Sequence, residues 1–344
     1  MTSETGGVPI PTGCAAALQP NSVDVVYTWV DDSFPGYAET LRAHATDSRD
    51  TNPNRTRDNL DLLRYSLRSL EACMPFVRKI HIVSCRPQVP AWLDAGHPDI
   101  RIIHHDQIMA PELLPTFNSF AIVSHLTRIP DLSPRFLYFE DDMLAFRPLK
   151  LEDFSAADGR AKVFLEKRAA PVMSQLDPAS SSPWNLALAR ANHVLKAAFG
   201  AKAFSYLAHG PQLIDRDLFA RMCERFADDI ATTRRSRFRA HGNVPPEYLY
   251  PHFALETAMA IRADSSDVRR MTGYASLENW YAWTWLQLRR LEWRKPATIT
   301  LNDSFGNTPN PRVVAHVRKT LERWFPVPSR FEKTVHADGT SASR

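Results

Sequence analysis

Cysteine is scarce. Four of them in 344 residues, Cys14, Cys73, Cys85 and Cys223, form no C-x-x-C pair. A disulfide framework or a zinc ribbon is therefore not indicated, and reduced, partly buried thiols are expected. Long apolar runs are lacking too: no stretch reaches the ~20 residues that cross a bilayer. The first residues, MTSETGGVPIPTGCAAALQP, have neither the basic start nor the apolar core of a secretory signal. Together these lacks predict a cytoplasmic protein. An excess of one charge is missing as well: 42 Lys and Arg stand against 38 Asp and Glu, for a net +4. The signs are mixed along most of the chain and the aromatics do not interleave with a basic stripe, which argues against nucleic acid as partner. The mild positive balance permits peripheral attachment at the inner face of the plasma membrane.

What is present is ample material for a core, since 44% of residues are apolar. Residues 1–20 and 333–344 read as loose tails. Residues 21–332, without repeats or low-complexity linkers, read as one catalytic unit, with an α/β half (21–150) followed by a more helical half (151–332). VDVVYTWV (23–30), KIHIVSC (79–85), IRIIHHD (100–106) and RFLYF (135–139) read as strands. Between them, 57–73 and 118–129 read as helices, the first with Leu60, Leu63, Leu67 and Leu70 on one face. Strands alternating with helices predict a mainly parallel α/β sheet. Further on, 212–226 has helical spacing through Ile214, Leu218, Met222 and Phe226. Residues 311–325 should form a helix that buries Val314, Val317, Leu321 and Trp324.

Two of the apolar strands run into acids: VVYTWV into Asp31 and Asp32, and FLYF into Glu140, Asp141 and Asp142. Ligands of open α/β sheets bind beyond the carboxyl ends of strands. Crowded carboxylates repel one another unless a cation compensates. Hard oxygen donors suit Mg²⁺ or Mn²⁺ bridging to a substrate diphosphate. The alternative is that such acids cap the next helix or stay solvated. Arg57 and Asn59, at the start of the first amphipathic helix, are placed to meet donor phosphate or base through a helix N-terminus.

These stretches carry a resemblance. VDVVYTWVDDSFP (23–35), RDNLDLLRYSLRSLEACMPFVRKIHIVS (57–84) with LPTFNSFAIVSHLTRIPDLSPRFLYFEDDMLAFRPL (114–149), AHGPQLIDRDLF (208–219), and TLNDSF (300–305) through LERWFPVPSRFE (321–332) resemble, in order, the four signature blocks of the Stealth family of sugar-phosphate transferases. The family includes bacterial capsule and cell-wall polysaccharide phosphotransferases and the animal enzyme that tags lysosomal hydrolases with N-acetylglucosamine 1-phosphate. The resemblance implies a glycosyltransferase-A-like α/β fold. It implies transfer of hexose 1-phosphate from a UDP-sugar to the hydroxyl of an oligo- or polysaccharide acceptor, with release of UMP. Two readings compete with it: a metal-dependent glycosyltransferase releasing UDP, and a non-catalytic carbohydrate-binding relative.

Residue by residue, the resemblance implies Asp24 and Asp31 from the first block, and Asp141 and Asp142 as the metal-holding acids. Glu140 and Asp32 depart from the family's usual residues. His209 of the AH signature is implied as general base, the role a group titrating near neutrality can fill. Arg239 is implied as the phosphate-gripping guanidinium, set in RRSRFR (234–239), which otherwise reads as a solvated basic patch. Asn302 and Asp303 of LND would complete the metal or phosphate site, and His252 is a secondary candidate.

Overall fold

The computed structural model describes residues 23–335 except 53 and 55, together with 341–342. The expected N-terminal tail, Cys14 and most of the expected C-terminal tail lie outside the described residues.

The apolar stretch VDVVYT forms β1 (Val23–Thr28), and its loop with Asp31 and Asp32 leads to α1 (Tyr37–His44) and α2 (Leu62–Cys73). Next come β2 (Val77–Ser84), β3 (Ile100–His104), a short α3 (Ser119–Val123) and β4 (Arg135–Glu140). After Asp141 and Asp142 the chain enters β5 (Met143–Ala145). The second half holds β6 (Ala161–Val163), β7 (Leu165–Ala169), α4 (Pro183–Phe199), β8 (Ser205–Leu207) and β9 (Gln212–Asp215). It continues through α5 (Arg216–Arg225), α6 (Ala227–Arg235), α7 (Pro246–Glu256), β10 (Ala260–Arg262) and α8 (Ser265–Met271). Last are β11 (Thr272–Leu277), α9 (Tyr281–Arg294), β12 (Thr298–Asp303) and α10 (Pro311–Trp324).

The main sheet has the order β3-β2-β1-β4-β9, with the first four strands parallel and β9 antiparallel against β4. The chain moves outward from β1 through β2 to β3, then returns to β4 on the other side of β1. That reversal is a topological switch point, where open α/β sheets leave a crevice at the strand ends. Thr28 pairs with Glu140, so the loops that carry Asp31–Asp32 and Asp141–Asp142 leave the same end of adjacent strands. A second sheet, β11-β12-β5, begins immediately after Asp142, with β5 antiparallel to β12. The halves interleave: β9 extends the first sheet and β5 joins the second, so residue 150 marks no structural boundary.

Helix α2 docks by its expected leucine face, with Leu63, Leu67 and Leu70 buried. Two buried serines fix its register. Ser66 donates its one hydroxyl proton to the Met143 carbonyl and accepts from the Tyr27 hydroxyl at 2.6 Å. Ser69 accepts from the Ala145 amide at 2.9 Å. The strand leaving the acidic pair is thus bolted to α2. At the far end Arg68, nearly buried, holds Glu332 at 2.7 Å and ties the C-terminal segment to the same helix. Breaking such a pair from one side strands a buried charge.

Several boundaries differ from expectation. Residues 212–215 are a strand, not the first turn of a helix, because Ile214 and Leu213 pair with Phe136 and Leu137. Asp215 then caps α5 by accepting from the Leu218 amide. The predicted helix over 118–129 is only the five residues of α3 followed by a single 3₁₀ turn at Leu126–Arg128. In α10 it is Val313, Val317 and Leu321 that are buried, while Val314 and Trp324 lie half-buried at the margin. Cys73, Cys85 and Cys223 are free thiols. Among the described residues no helix is long and apolar enough to cross a membrane.

Candidate active site

Asp58, Glu140, Asp141, Asp142, Glu247 and Asp303 gather where β1 and β4 end. Burial, then Asp142 and Asp58, push the Asp141 carboxyl well above the usual carboxylate range. Burial, then Glu140 and further off Asp303, raise Asp142 to about 8. Asp58, raised to about 6 by burial and Asp61, accepts from the Trp29 indole at 3.4 Å and from the Leu60 and Leu62 amides ahead of α2. Glu247, from α7, is buried and raised to about 8 by burial. The opposing guanidinium is Arg239, which lies among Glu247, Glu140 and Tyr138. It is braced by Ser119 Oγ at 2.6 Å and by the face of Phe120 at 4.5 Å.

Asp303 stands at the end of β12, bonded to Asn59 Nδ2 at 2.6 Å and to the Phe305 amide at 3.0 Å. The Leu301 amide donates to the Asp142 carbonyl, which locks the acidic turn to the second sheet. Arg57 reaches Asp32 at 3.2 Å and also acts on Asp303. Asn302 donates to Ser304 Oγ and lies against Tyr274. The His209 ring, exposed, packs on Tyr274 with centroids 4.7 Å apart. Tyr274 in turn is raised by burial and by the charge of Asp142. Tyr274 therefore touches the histidine and feels the charge of Asp142.

Three assignments from the sequence change. Asp24 lies at the opposite end of β1, fully buried. It accepts from Arg78 at 2.7 Å, from the Ser133 amide and from His81, so its part is to hold strands together. His252 is a core histidine: it contacts the Ser205 carbonyl at 3.0 Å, packs on Phe204 and Tyr248, and burial lowers it to about 4. Asp31 spends both carboxylate oxygens on Ser33, while its backbone is clamped by the Gln88 amide. The basic patch also resolves into structure, since Arg234 and Arg237 bond to the Ser124 and Pro115 carbonyls.

Asp58, Glu247 and Tyr274 were not singled out in the sequence. Asp58 had a signal, an acid at the start of a strongly amphipathic helix. Glu247 and Tyr274 had none, because only the fold brings α7 and β11 to this end of the sheet.

The residues can be tested against a divalent cation. The Asp142 Oδ1 atom is buried without a hydrogen-bond partner, and its neighbours are like-charged. Both features fit a missing positive charge. Among the described residues, however, no three His, Cys, Asp or Glu side chains form a ligating group. The described residues therefore offer no closed protein cage, and an ion on these acids would have to complete its shell with phosphate and water. Beside the Asp31 loop, Gln88 lines a cavity of about 380 Å³ together with Phe34, Tyr37, Cys85, His105 and Phe117.

Residues 55–163 match the family model described as Stealth protein CR2, conserved region 2, and residues 208–256 match Stealth protein CR3, conserved region 3. The chain is 32% identical over 98% of its length to the exopolysaccharide phosphotransferase SCO6023 of Streptomyces coelicolor. It is 31% identical over 90% to the capsular polysaccharide phosphotransferase SacB of Neisseria meningitidis serogroup A. Each match covers 57% of the relative, so the chain spans little more than half the length of these proteins. Among solved structures, the galactosyltransferase LgtC in complex with donor and acceptor sugar analogs is 14% identical, with 90% of this chain and 98% of that one covered and a TM-score of 0.42.

Proposed function

The chain belongs to the Stealth family, and from that premise we propose that it transfers hexose 1-phosphate from a UDP-sugar to an acceptor sugar hydroxyl, releasing UMP, in building a phosphodiester-linked surface polysaccharide. The observation that carries this reading is the crowd of under-compensated carboxylates at the switch point, with Asp142 acting on the tyrosine that packs against an exposed imidazole. Residues 21–332 act as one unit in this reading, because the five-stranded and the three-stranded sheet each take strands from both halves.

Asp141 and Asp142 would hold Mg²⁺ or Mn²⁺, which would draw charge from the donor diphosphate and from the departing UMP. Asp303, engaged by Asn59, shapes the field beside them. The aromatic cavity next to Gln88 receives the nucleoside, as its concave apolar walls suit a base. Arg239 offers its guanidinium to the β-phosphate, its stem fixed on Phe120 and Ser119. His209, steadied by Tyr274, removes the acceptor hydroxyl proton at a ring nitrogen. The new bond forms from the acceptor oxygen to the β-phosphorus. The bridging P–O bond breaks, and its electron pair leaves on the oxygen of UMP. The sugar's anomeric bond is untouched.

The test is a panel of UDP-sugars with divalent metal and oligosaccharide acceptors, in which the nucleotide product is identified. UMP with a phosphodiester product supports the reading. UDP release points to glycosyl transfer, and absence of both turnover and nucleotide binding points to a non-catalytic relative; either result overturns it.

A further inference from the structure

Eight large apolar side chains are exposed among the described residues, and five of them, Trp280, Tyr281, Trp285, Leu286 and Trp293, lie on α9 or just before it. The helix buries Thr284, Leu288 and Leu291 against the second sheet. At 100° per residue the opposite side is Ala282, Leu286, Arg289, Arg290 and Trp293. Trp293, 85% exposed, stands at the centre of that side. On that side Leu286 and Trp293 form an exposed apolar pair, whereas Tyr281 turns to α10, its ring 5.0 Å from that of His316. Exposed apolar groups gathered on one face mark an interaction surface.

We propose that the outer face of α9 docks the protein on an anionic phospholipid bilayer. Rings of Trp and Tyr settle at the headgroup level, with a guanidinium free to meet phosphate. Here Arg289, Arg290 and Arg294 are interleaved with the rings, against a single acid, Glu292. Glu292 is already engaged by Arg289, Arg323 and the Trp324 indole, which spends its charge and leaves a net positive face with Arg290 as its outward guanidinium. That charge suits an anionic headgroup layer. A second copy packed across a two-fold would set arginine against arginine.

The position of α9 gives the docking a consequence. Leu277, the last residue of β11, pairs with Asp303, and Trp280 follows three residues later. The first turn of the docked helix therefore stands at the end of the sheet that carries the acids. The inference goes beyond the transfer reading and does not depend on it.

The experiment is co-sedimentation of the full chain with vesicles of phosphatidylcholine doped with phosphatidylglycerol, against pure phosphatidylcholine vesicles and against salt. Binding to the anionic vesicles is expected, weakening as salt rises. The Leu286→Ser, Trp293→Ser pair should lower partitioning at least about tenfold, and Arg289→Gln with Arg290→Gln by a similar factor. All four side chains are solvent-facing, so an unchanged melting temperature separates lost docking from lost folding. No binding by the wild type, wild-type binding by both variants, or a dimer that Trp293→Ser makes monomeric would overturn the proposal.

Discussion

Asn59 donates to the Asp303 carboxylate at 2.6 Å across 244 residues of chain. The bond joins the loop ahead of α2, which belongs to the first sheet's side of the site, to the last residue of β12 in the second. It fixes one of the acids that face Asp142.

Asn59→Ala should therefore leave the fold intact and lower kcat by about 10- to 100-fold, the range found when a residue that orients metal-binding groups is lost. Asn59→Asp should be worse, because it adds a charge to a site already rich in acids. Steady-state turnover beside a thermal melt checks both.

Asp142→Asn should abolish transfer without lowering the stability of the metal-free protein, since it removes a carboxylate whose Oδ1 atom has no partner. Chelation should likewise stop the wild-type reaction, with Mg²⁺ or Mn²⁺ restoring it. A marked loss of melting temperature in the variant would make Asp142 a structural residue.

His209→Ala should reduce transfer by about 10²- to 10⁴-fold with an unchanged melt, because the ring is exposed and rests against Tyr274. Tyr274→Phe should retain most activity if the ring's part is to steady the imidazole, and Tyr274→Ala should not. Turnover of the three variants against one acceptor decides it.

Gly273→Ala should destabilise the protein by about 1–3 kcal/mol. A Cβ there would lie 2.5 Å from Pro296 Cγ and 2.9 Å from Leu291 Cδ2, between β11 and α9. Chemical denaturation measures the loss.

Acid sensitivity should come from His105, His125 and His252, each lowered to about 4, chiefly by burial. Their folded values lie below the unfolded value of 6.5, so the unfolded chain takes up more protons between them. The stability they provide is complete above 6.5 and is lost as pH falls towards 4, at up to about 1.4 kcal/mol per pH unit for each. Denaturation midpoints across that window, with His252→Gln as a flatter comparison, report it.

Much of the first sheet could be read directly, because β1 and β4 are buried on both faces and appear as apolar runs that lead into acids. Strand β9 could not. QLID has no alternation of its own, and only the open edge of β4 makes it a strand. The acids after β4 and the imidazole at 209 were visible as residue types in order. Asp24 and His252 were misplaced because carboxylates and imidazoles serve equally as buried structural ties, and burial is decided by distant segments such as Arg78 and Ser205. Glu247 and Tyr274 enter the site on elements whose own periodicity only buries them.

Asp141 and Asp142 are also the two residues through which the backbone passes from one sheet into the other. Whatever charge settles on that step clamps a mechanical joint. A loaded donor would stiffen the relation between the nucleoside-binding strands and the strands beneath His209, so that the base is brought to bear only on a molecule that has already been charged. Slower amide exchange in β5 and β12 on donor binding would be the visible sign of that coupling.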